Sequence, residues 1–244
     1  MFSLCKKLIF VPLDYIGKEM SELIMTTEEN TQEVDKYQML RDIGYTGDIP
    51  VNIEGNDLLN DKLKEKIYWA LNKPEKLVKI KGGITLKKQE AEKKEKEKKW
   101  GNKMINQNDN GQFTTDLGEG LVKEILELRG ENPKKVVKKE GFEPDWETDD
   151  YIYEVKTSNW WVGGTAGEKV LGTFIKYQNI PELFGKPLRI VCVAYQEYEL
   201  EFGKTQYFGE NVTKKTKQAL DLAKSWDIEY MRFSDLVKPL INNS

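Results

Sequence analysis

The order of helical and strand patterns after residue 113 is the feature that most constrains the fold. The segment TTDLGEGLVKEILELRG predicts an amphipathic helix, because its apolar residues recur at helical spacing and a glycine follows as a C-cap. The apolar stripe consists of Leu117, Leu121, Ile125 and Leu128, and the glycine is Gly130. Strand patterns follow at YIYEVK, LRIVCVAY and IEYMRF, with helical patterns after them at GEKVLGTFIKY, VTKKTKQALDLAKSW and SDLVKPL. This order predicts an α/β fold with a mixed central sheet flanked by helices.

The first 112 residues carry a different, mainly helical pattern. Helical spacing at EVDKYQMLRDIG and up to about Leu71 precedes the segment KKQEAEKKEKEKKWGNKM. That segment is rich in helix-forming residues with opposite charges close together, so it predicts a long exposed helix at residues 87–104. The polar stretch NQNDNGQ that follows has the composition of a loop. We therefore place a boundary there, between an N-terminal accessory region at residues 1–112 and a core at residues 113–244.

Histidine is absent from all 244 residues, which restricts the chemistry that the chain can perform. The absence excludes histidine-assisted serine or cysteine catalysis, two-histidine zinc sites and nucleases with a histidine general base. The two cysteines, Cys5 and Cys192, lie far apart and show no metal-ligand spacing, as expected of free thiols in a reducing compartment. Any catalysis must therefore rest on carboxylates, lysine, tyrosine or a bound metal.

The N-terminus favours a cytoplasmic protein without a membrane partner. Its longest apolar run, Leu8 to Leu13, has six residues and contains Pro12. That run is compatible with a short strand at Leu8–Val11, but it is too short for a signal peptide or a membrane span.

Charge is distributed unevenly along the chain. Between Lys62 and Lys103 there are 15 lysines and 6 glutamates, so this segment carries +9 and the remainder carries −12, within a net charge of −3. The asymmetry fits a basic surface that meets phosphates, and it fits a solvated lysine–glutamate helix equally well.

The stretch PDWETDDYIYEVKTSNWW, residues 144–161, places charged side chains inside a strand pattern. Side chains alternate along a strand, so Glu154 and Lys156 share one face. Asp145 precedes them across a turn at residues 148–150 and can come alongside. Two carboxylates and a backbone carbonyl form a hard-oxygen site suited to Mg²⁺, and a nearby lysine can orient an attacking water. The alternative interpretation is a solvent-facing Glu–Lys pair.

Pro144-Asp145, followed after eight residues by Glu154-Val155-Lys156, resembles the signature of the PD-(D/E)XK nuclease superfamily. The predicted elements from about residue 114 to residue 240 also resemble that family's core, in which a first helix precedes the strands that carry the motif. The resemblance implies that Asp145, Glu154 and the Val155 carbonyl hold one or two Mg²⁺ ions, for which Mn²⁺ can substitute. It further implies that Lys156 positions the attacking water.

Many members of this superfamily place one further glutamate on the first helix, close to the metal. The matching position is Glu119, with Glu124 as the fallback. Tyr177-Gln178 faintly resembles the glutamine–tyrosine motif of one nuclease branch.

The resemblance implies a type II restriction endonuclease that hydrolyses double-stranded DNA at a specific sequence, with a restriction-endonuclease-like core. Cleavage of both strands of a palindrome would require a two-fold homodimer, and a companion DNA methyltransferase would act on the same site. The expected DNA contacts are Asn159, Trp160, Trp161, Thr165 and Lys169, through stacking on tryptophan and phosphate binding near a helix terminus.

Two alternatives remain open from the residues. A repair nickase, a resolvase or a mobile-element nuclease of the same superfamily would keep the site and change the substrate. A non-catalytic DNA-binding protein is the third possibility, but clustered carboxylates would repel DNA unless a metal neutralised them.

Overall fold

The computed structural model describes residues 37–79, 81–109, 111–161 and 170–241, so the possible strand at residues 8–11 lies outside the described residues. The helices are α1 (Gln38–Ile43), α2 (Val51–Glu54), α3 (Asp61–Leu71), α4 (Leu86–Met104), α5 (Phe113–Leu128), α6 (Thr173–Lys176), α7 (Ile180–Phe184), α8 (Tyr195–Phe202), α9 (Lys214–Ser225) and α10 (Phe233–Ile241). The strands are β1 (Lys134–Lys135), β2 (Trp146–Glu147), β3 (Ile152–Ser158), β4 (Leu188–Ala194) and β5 (Ile228–Arg232).

The described strands form one mixed sheet in the order β1-β2-β3-β4-β5. Neighbours among β1, β2 and β3 are antiparallel, whereas β3, β4 and β5 run parallel. Parallel neighbours need a crossover connection, and helices lie in the chain between β3 and β4 and again between β4 and β5. The α/β class and the mixed central sheet predicted from the sequence are confirmed.

The side chains of β3 separate into two hydrophobic clusters, one on each face of the sheet. Tyr153 and Val155 belong to the cluster that includes apolar residues of α3, α4, α5 and α10. Ile152 belongs to the other cluster, with apolar residues of α6, α7 and α9. Because the faces alternate, Glu154 lies on the same side as Ile152, as the strand pattern predicts.

Several elements differ from the expectation. β1, at Lys134–Lys135, is not among the predicted strands, and the helix predicted at GEKVLGTFIKY is interrupted: residues 170 and 171 are helical, Gly172 forms a turn and the short α6 follows. The sequence did not predict α8, because its first residue, Tyr195, continues the apolar run of β4. Ala194 has a φ of 56°, which turns the chain out of the strand and lets the helix begin at once.

The lysine-rich helix α4 is exposed along its first half and has one buried face along its second half. Its C-terminal part is buried, with Trp100 fully enclosed beside Trp69, and their ring centroids lie 5.4 Å apart. Gly101 leaves room for the Phe113 ring, which a β-carbon at residue 101 would overlap. One hydrophobic cluster therefore continues across the boundary proposed at residues 112 and 113, although that boundary itself stays a prediction.

A buried carboxylate joins three parts of this cluster. Glu97, on α4, is fully enclosed and accepts hydrogen bonds from the Trp69 indole at 2.9 Å, the Trp160 backbone N–H at 2.9 Å and the Trp161 backbone N–H at 3.2 Å. In return, the Trp100 indole donates to Glu65 of α3 at 2.9 Å. These bonds hold α3 and α4 together and fix the chain where it leaves β3. Burial raises the pKa of Glu97 to about 7, although the three donors counteract part of that effect.

We expect Glu97→Gln to remove a pH dependence of the free energy of unfolding. Because the pKa of Glu97 is raised in the folded state, its contribution to stability is full below about pH 4.5 and is lost as the pH rises through about 7. The wild-type free energy of unfolding, minus that of Glu97→Gln, should fall by up to about 1.4 kcal/mol per pH unit in that window. Denaturant unfolding between pH 4.5 and 8 measures this difference.

The exposed neighbour Glu95 provides the control. Glu95→Gln should follow the wild-type pH profile in parallel. A difference between wild type and Glu97→Gln that stays constant from pH 4.5 to 8 would contradict the prediction.

Gly118 sets the distance between α5 and the sheet. A β-carbon at this position would overlap the Thr157 side chain, so the backbone of α5 at Gly118 packs directly against the Thr157 side chain of β3. The next residue along the helix is Glu119, one of the predicted site residues. The close approach at Gly118 therefore also determines how near Glu119 comes to the strands.

We expect Gly118→Ala to destabilise the protein by about 1–3 kcal/mol, the usual cost of overpacking a core. Gly120→Ala on the same helix is the matched control, since no described atom lies within 4 Å of its β-carbon position. It should be neutral or stabilising by up to about 1 kcal/mol, because alanine favours helix over glycine. Equal effects of the two substitutions in thermal or denaturant unfolding would disprove the close contact.

Within the described ranges, no helix is both long and apolar enough to cross a membrane.

Candidate active site

The antiparallel pairing of β2 with β3 brings Asp145 opposite Glu154. Trp146 pairs with Tyr153, and the backbone N–H of Asp145 donates to the Tyr153 carbonyl at 3.0 Å. The Asp145 Oδ2 accepts a hydrogen bond of 2.6 Å from the backbone N–H of Val155. This bond holds the aspartate side chain across the strand pair, directly beside the glutamate.

Glu154 is the most enclosed member of the group, with 4% of its surface exposed. Its Oε1 accepts a hydrogen bond of 3.0 Å from the Tyr177 hydroxyl and forms an ion pair with the Lys156 ammonium two residues along the strand. Its Oε2 is buried and has no hydrogen-bond partner among the described residues. A buried carboxylate oxygen without a donor costs free energy, so it marks a position where a cation would be stabilising.

Asp145 has a perturbed ionisation. Burial and, to a lesser extent, the negative charge of Glu154 raise its pKa to about 7, although the hydrogen bond from Val155 lowers it. Glu119 also raises the pKa of Asp145, through its charge and through a side-chain hydrogen bond. A carboxyl group whose pKa is raised by burial and by a neighbouring carboxylate is typical of functional sites.

Glu119 approaches this pair from α5. Its Oε2 accepts from the Lys135 ammonium at 2.7 Å, and its backbone carbonyl accepts from the Trp146 indole at 3.0 Å. The fallback Glu124 lies elsewhere, in an ion pair with Lys66. The structure therefore brings Asp145, Glu154, Lys156 and Glu119 together.

The carboxylates suit a hard divalent cation. No group of three or more Asp, Glu, His or Cys side chains is arranged to hold a metal among the residues that the structure describes. Mg²⁺ commonly binds proteins through only one or two carboxylates and keeps several waters. Asp145 and Glu154, with the unpartnered Oε2 of Glu154, fit that smaller donor set. The predicted ligand roles of Val155 and Glu119 stay predictions.

The residues expected to contact DNA differ in how far they are exposed. Trp160 is a core residue, 9% exposed, and its indole N–H donates to the Trp69 carbonyl at 2.9 Å. Its ring packs against Tyr195 and Tyr198, so the DNA contact expected of Trp160 stays a prediction for a side chain that is mostly buried. Asn159 and Trp161 are partly exposed, whereas Thr165 and Lys169 lie outside the described residues.

Two residues at the site did not follow from strand periodicity. Tyr177 reaches Glu154 from the turn between α6 and α7, and Lys135 reaches Glu119 from β1. The only sequence signal was the faint glutamine–tyrosine resemblance at Tyr177, and nothing distinguished Lys135 from its neighbouring lysines.

Comparison with protein-family models, curated proteins and solved structures finds no match to this chain. The function must therefore be inferred from the site itself.

We expect Asp145→Asn to stabilise the metal-free protein at pH 8. The substitution removes the negative charge of the half-buried Asp145 from beside the buried Glu154 and keeps an acceptor for the Val155 N–H. The gain should be at least about 1 kcal/mol, since one unit of pKa shift corresponds to 1.36 kcal/mol. Denaturant unfolding in EDTA measures it.

Asp149→Asn, in the exposed turn after β2, is the matched control and should leave stability within about 0.5 kcal/mol of wild type. A loss of stability in Asp145→Asn would mean that the aspartate has a purely structural role.

Proposed function

We propose that this protein is a Mg²⁺-dependent endonuclease that hydrolyses phosphodiester bonds of double-stranded DNA, with a restriction-endonuclease-like core. One observation carries the proposal: Asp145 lies opposite Glu154 on adjacent strands, with Lys156 beside them. Further support comes from the raised pKa of Asp145 and the unpartnered Oε2 of Glu154. An ordinary surface Glu–Lys pair would explain neither feature.

Each side chain has a defined task in this proposal. Asp145 and Glu154 hold the metal, which when bound would supply a Lewis acid that polarises the scissile phosphate. Lys156, which is 30% exposed, offsets phosphate charge and orients the attacking water. Tyr177 keeps Glu154 in place through its hydroxyl, and Lys135 does the same for Glu119. No covalent intermediate is required, which agrees with the absence of histidine.

Sequence-specific cleavage of both strands would make the protein a type II restriction enzyme. That narrower proposal includes a homodimer and a companion methyltransferase, because host DNA would need protection at the same site. A repair nickase, a resolvase or a mobile-element nuclease would use the same side chains on a different DNA substrate. The products of the reaction distinguish these possibilities.

The test is incubation of the purified full-length protein with unmodified plasmid and phage DNA, in Mg²⁺ and in EDTA. We expect discrete Mg²⁺-dependent fragments from the wild type and at least about 100-fold slower cleavage by Lys156→Ala, since a positioned acid–base group contributes 10²–10⁴-fold. Glu154→Gln should be similarly slow.

Lys186→Ala is the matched control. Lys186 is 25% exposed and is also ion-paired to a glutamate, Glu147, but its partners among the described residues do not include Asp145 or Glu154. It should cleave at the wild-type rate. Nicked or smeared products would move the function to repair or non-specific cleavage, and no cleavage on any DNA, with binding indifferent to metal, would refute the nuclease.

A further inference from the structure

A cavity lies where β3 and β4 end, outside the candidate active site. It has a volume of about 450 Å³, and its aromatic lining consists of Trp160, Trp161 and Tyr195. Trp160 forms a fixed wall because its indole is hydrogen-bonded to the Trp69 carbonyl. Trp161 and Tyr195 are partly exposed. A cavity of this size with aromatic walls suits a flat ligand of one or two rings.

A row of aromatic rings leads out of this cavity along α8. Tyr195, at its first residue, stacks on Tyr198 with an interplanar angle of 24° and a centroid distance of 6.1 Å. Tyr198 in turn contacts Phe202, 5.1 Å away, and Phe202 is 62% exposed. A phenylalanine that exposed costs free energy unless something covers it, and large exposed apolar groups next to a cavity commonly mark binding surfaces.

Positive charge borders the same row. Lys73 lines the cavity, donates to the Tyr198 hydroxyl at 2.8 Å and lies 4.1 Å from the centroid of that ring. Lys76 also lines the cavity, and Lys79 and Lys81 follow it on the surface, so an exposed lysine recurs every two to three residues. These residues belong to the basic segment whose purpose the sequence left open. Rings bordered by lysines form the surface that binds unpaired nucleic acid, because bases stack on rings and lysines follow the backbone.

The cavity also contains two carboxylates, Glu75 and Glu90. They would repel a phosphate placed inside, but they can accept hydrogen bonds from the amino groups of a base. The distribution of charge therefore directs a base toward the carboxylates of the cavity and the phosphates toward the exposed lysines that border it.

We propose that this cavity and the aromatic row of α8 bind an unpaired segment of DNA, with one base in the cavity and a further base on Phe202, the exposed end of the row. The choice of DNA as the nucleic acid rests on the proposed function. The surface itself lies several residues beyond Lys156 at the end of β3, and it uses none of the residues placed at the cleavage site.

The test measures fluorescence anisotropy of a labelled 15-nucleotide single strand in EDTA, where no metal-dependent cleavage occurs. Its matched ligand is a strand of equal length in which abasic sugars replace the nucleotides and keep every phosphate. We expect the normal strand to bind at least about fivefold more tightly than the abasic strand, since base–aromatic stacking contributes 1–3 kcal/mol per base. Phe202→Ala should remove about fivefold of affinity for the normal strand and leave affinity for the abasic strand unchanged.

Further variants test the aromatic and the basic parts of the surface separately, each against a control on α9. Leu222→Ala removes another exposed apolar side chain, 45% exposed, from α9 and should leave binding unchanged. The double variant Lys73→Ala/Lys76→Ala should weaken both strands and reduce the salt dependence of binding, whereas Lys214→Ala/Lys217→Ala on α9 should not.

Strand binding and DNA cleavage together distinguish a failure of the proposed binding surface from a failure of the proposed nuclease activity. Normal strand binding by Lys156→Ala without cleavage of any DNA by the wild type would refute the nuclease and support the surface. Equal affinity for normal and abasic strands, or an unchanged affinity in Phe202→Ala, would contradict the proposed binding of unpaired DNA. It would not affect the conclusion from the cleavage assay. Self-association of the wild type that Phe202→Ala abolishes, without any effect on DNA binding, would likewise contradict the proposed binding of unpaired DNA and make the row a protein interface.

Discussion

The fold depends on how one buried carboxylate is satisfied. Glu97 lies inside a hydrophobic cluster, where an unpaired carboxylate would cost several kcal/mol. Three donors surround it, one indole from α3 and two backbone N–H groups from the chain that leaves β3. The lysine-rich helix is thereby tied to the end of the central strand. The side chains in the middle of β3 and the residues just after its end are therefore positioned relative to this contact.

The two carboxylates Glu97 and Glu154 are both buried, but their hydrogen-bond partners differ. Glu97 has a donor at each oxygen and serves to connect elements. Glu154 has a hydroxyl and an ammonium at one oxygen and no partner among the described residues at the other. A second carboxylate, Asp145, lies beside it, and the charge of Glu154 helps to raise the pKa of Asp145. An unsatisfied like-charged pair lowers stability, and that loss is understandable where the pair waits for a cation and a substrate.

The proposed cleavage site and the aromatic surface lie along the same strand. Glu154 and Lys156 occupy the middle of β3, whereas Trp160 and Trp161 follow its end. Both places depend on the close packing of β3: Gly118 lets α5 approach Thr157, and Glu97 holds the backbone at residues 160 and 161. Because β3 is held by these two contacts, it would position a phosphate at the proposed cleavage site and a base at the proposed aromatic surface relative to each other.

The sequence by itself determined the order of the three longest strands, β3, β4 and β5, and the convergence of Asp145, Glu154 and Lys156. Period-two alternation assigns the faces of a strand, and a short turn leaves little freedom in how two neighbouring strands pair. Local pattern could not reveal that a lysine-rich helix buries its glutamate, that Trp160 is a core residue, or that Tyr177 reaches Glu154. Only the tertiary structure decided these features, because each depends on a contact between residues that are more than 20 positions apart. Such contacts form only when whole helices pack on the sheet, and no local period encodes them.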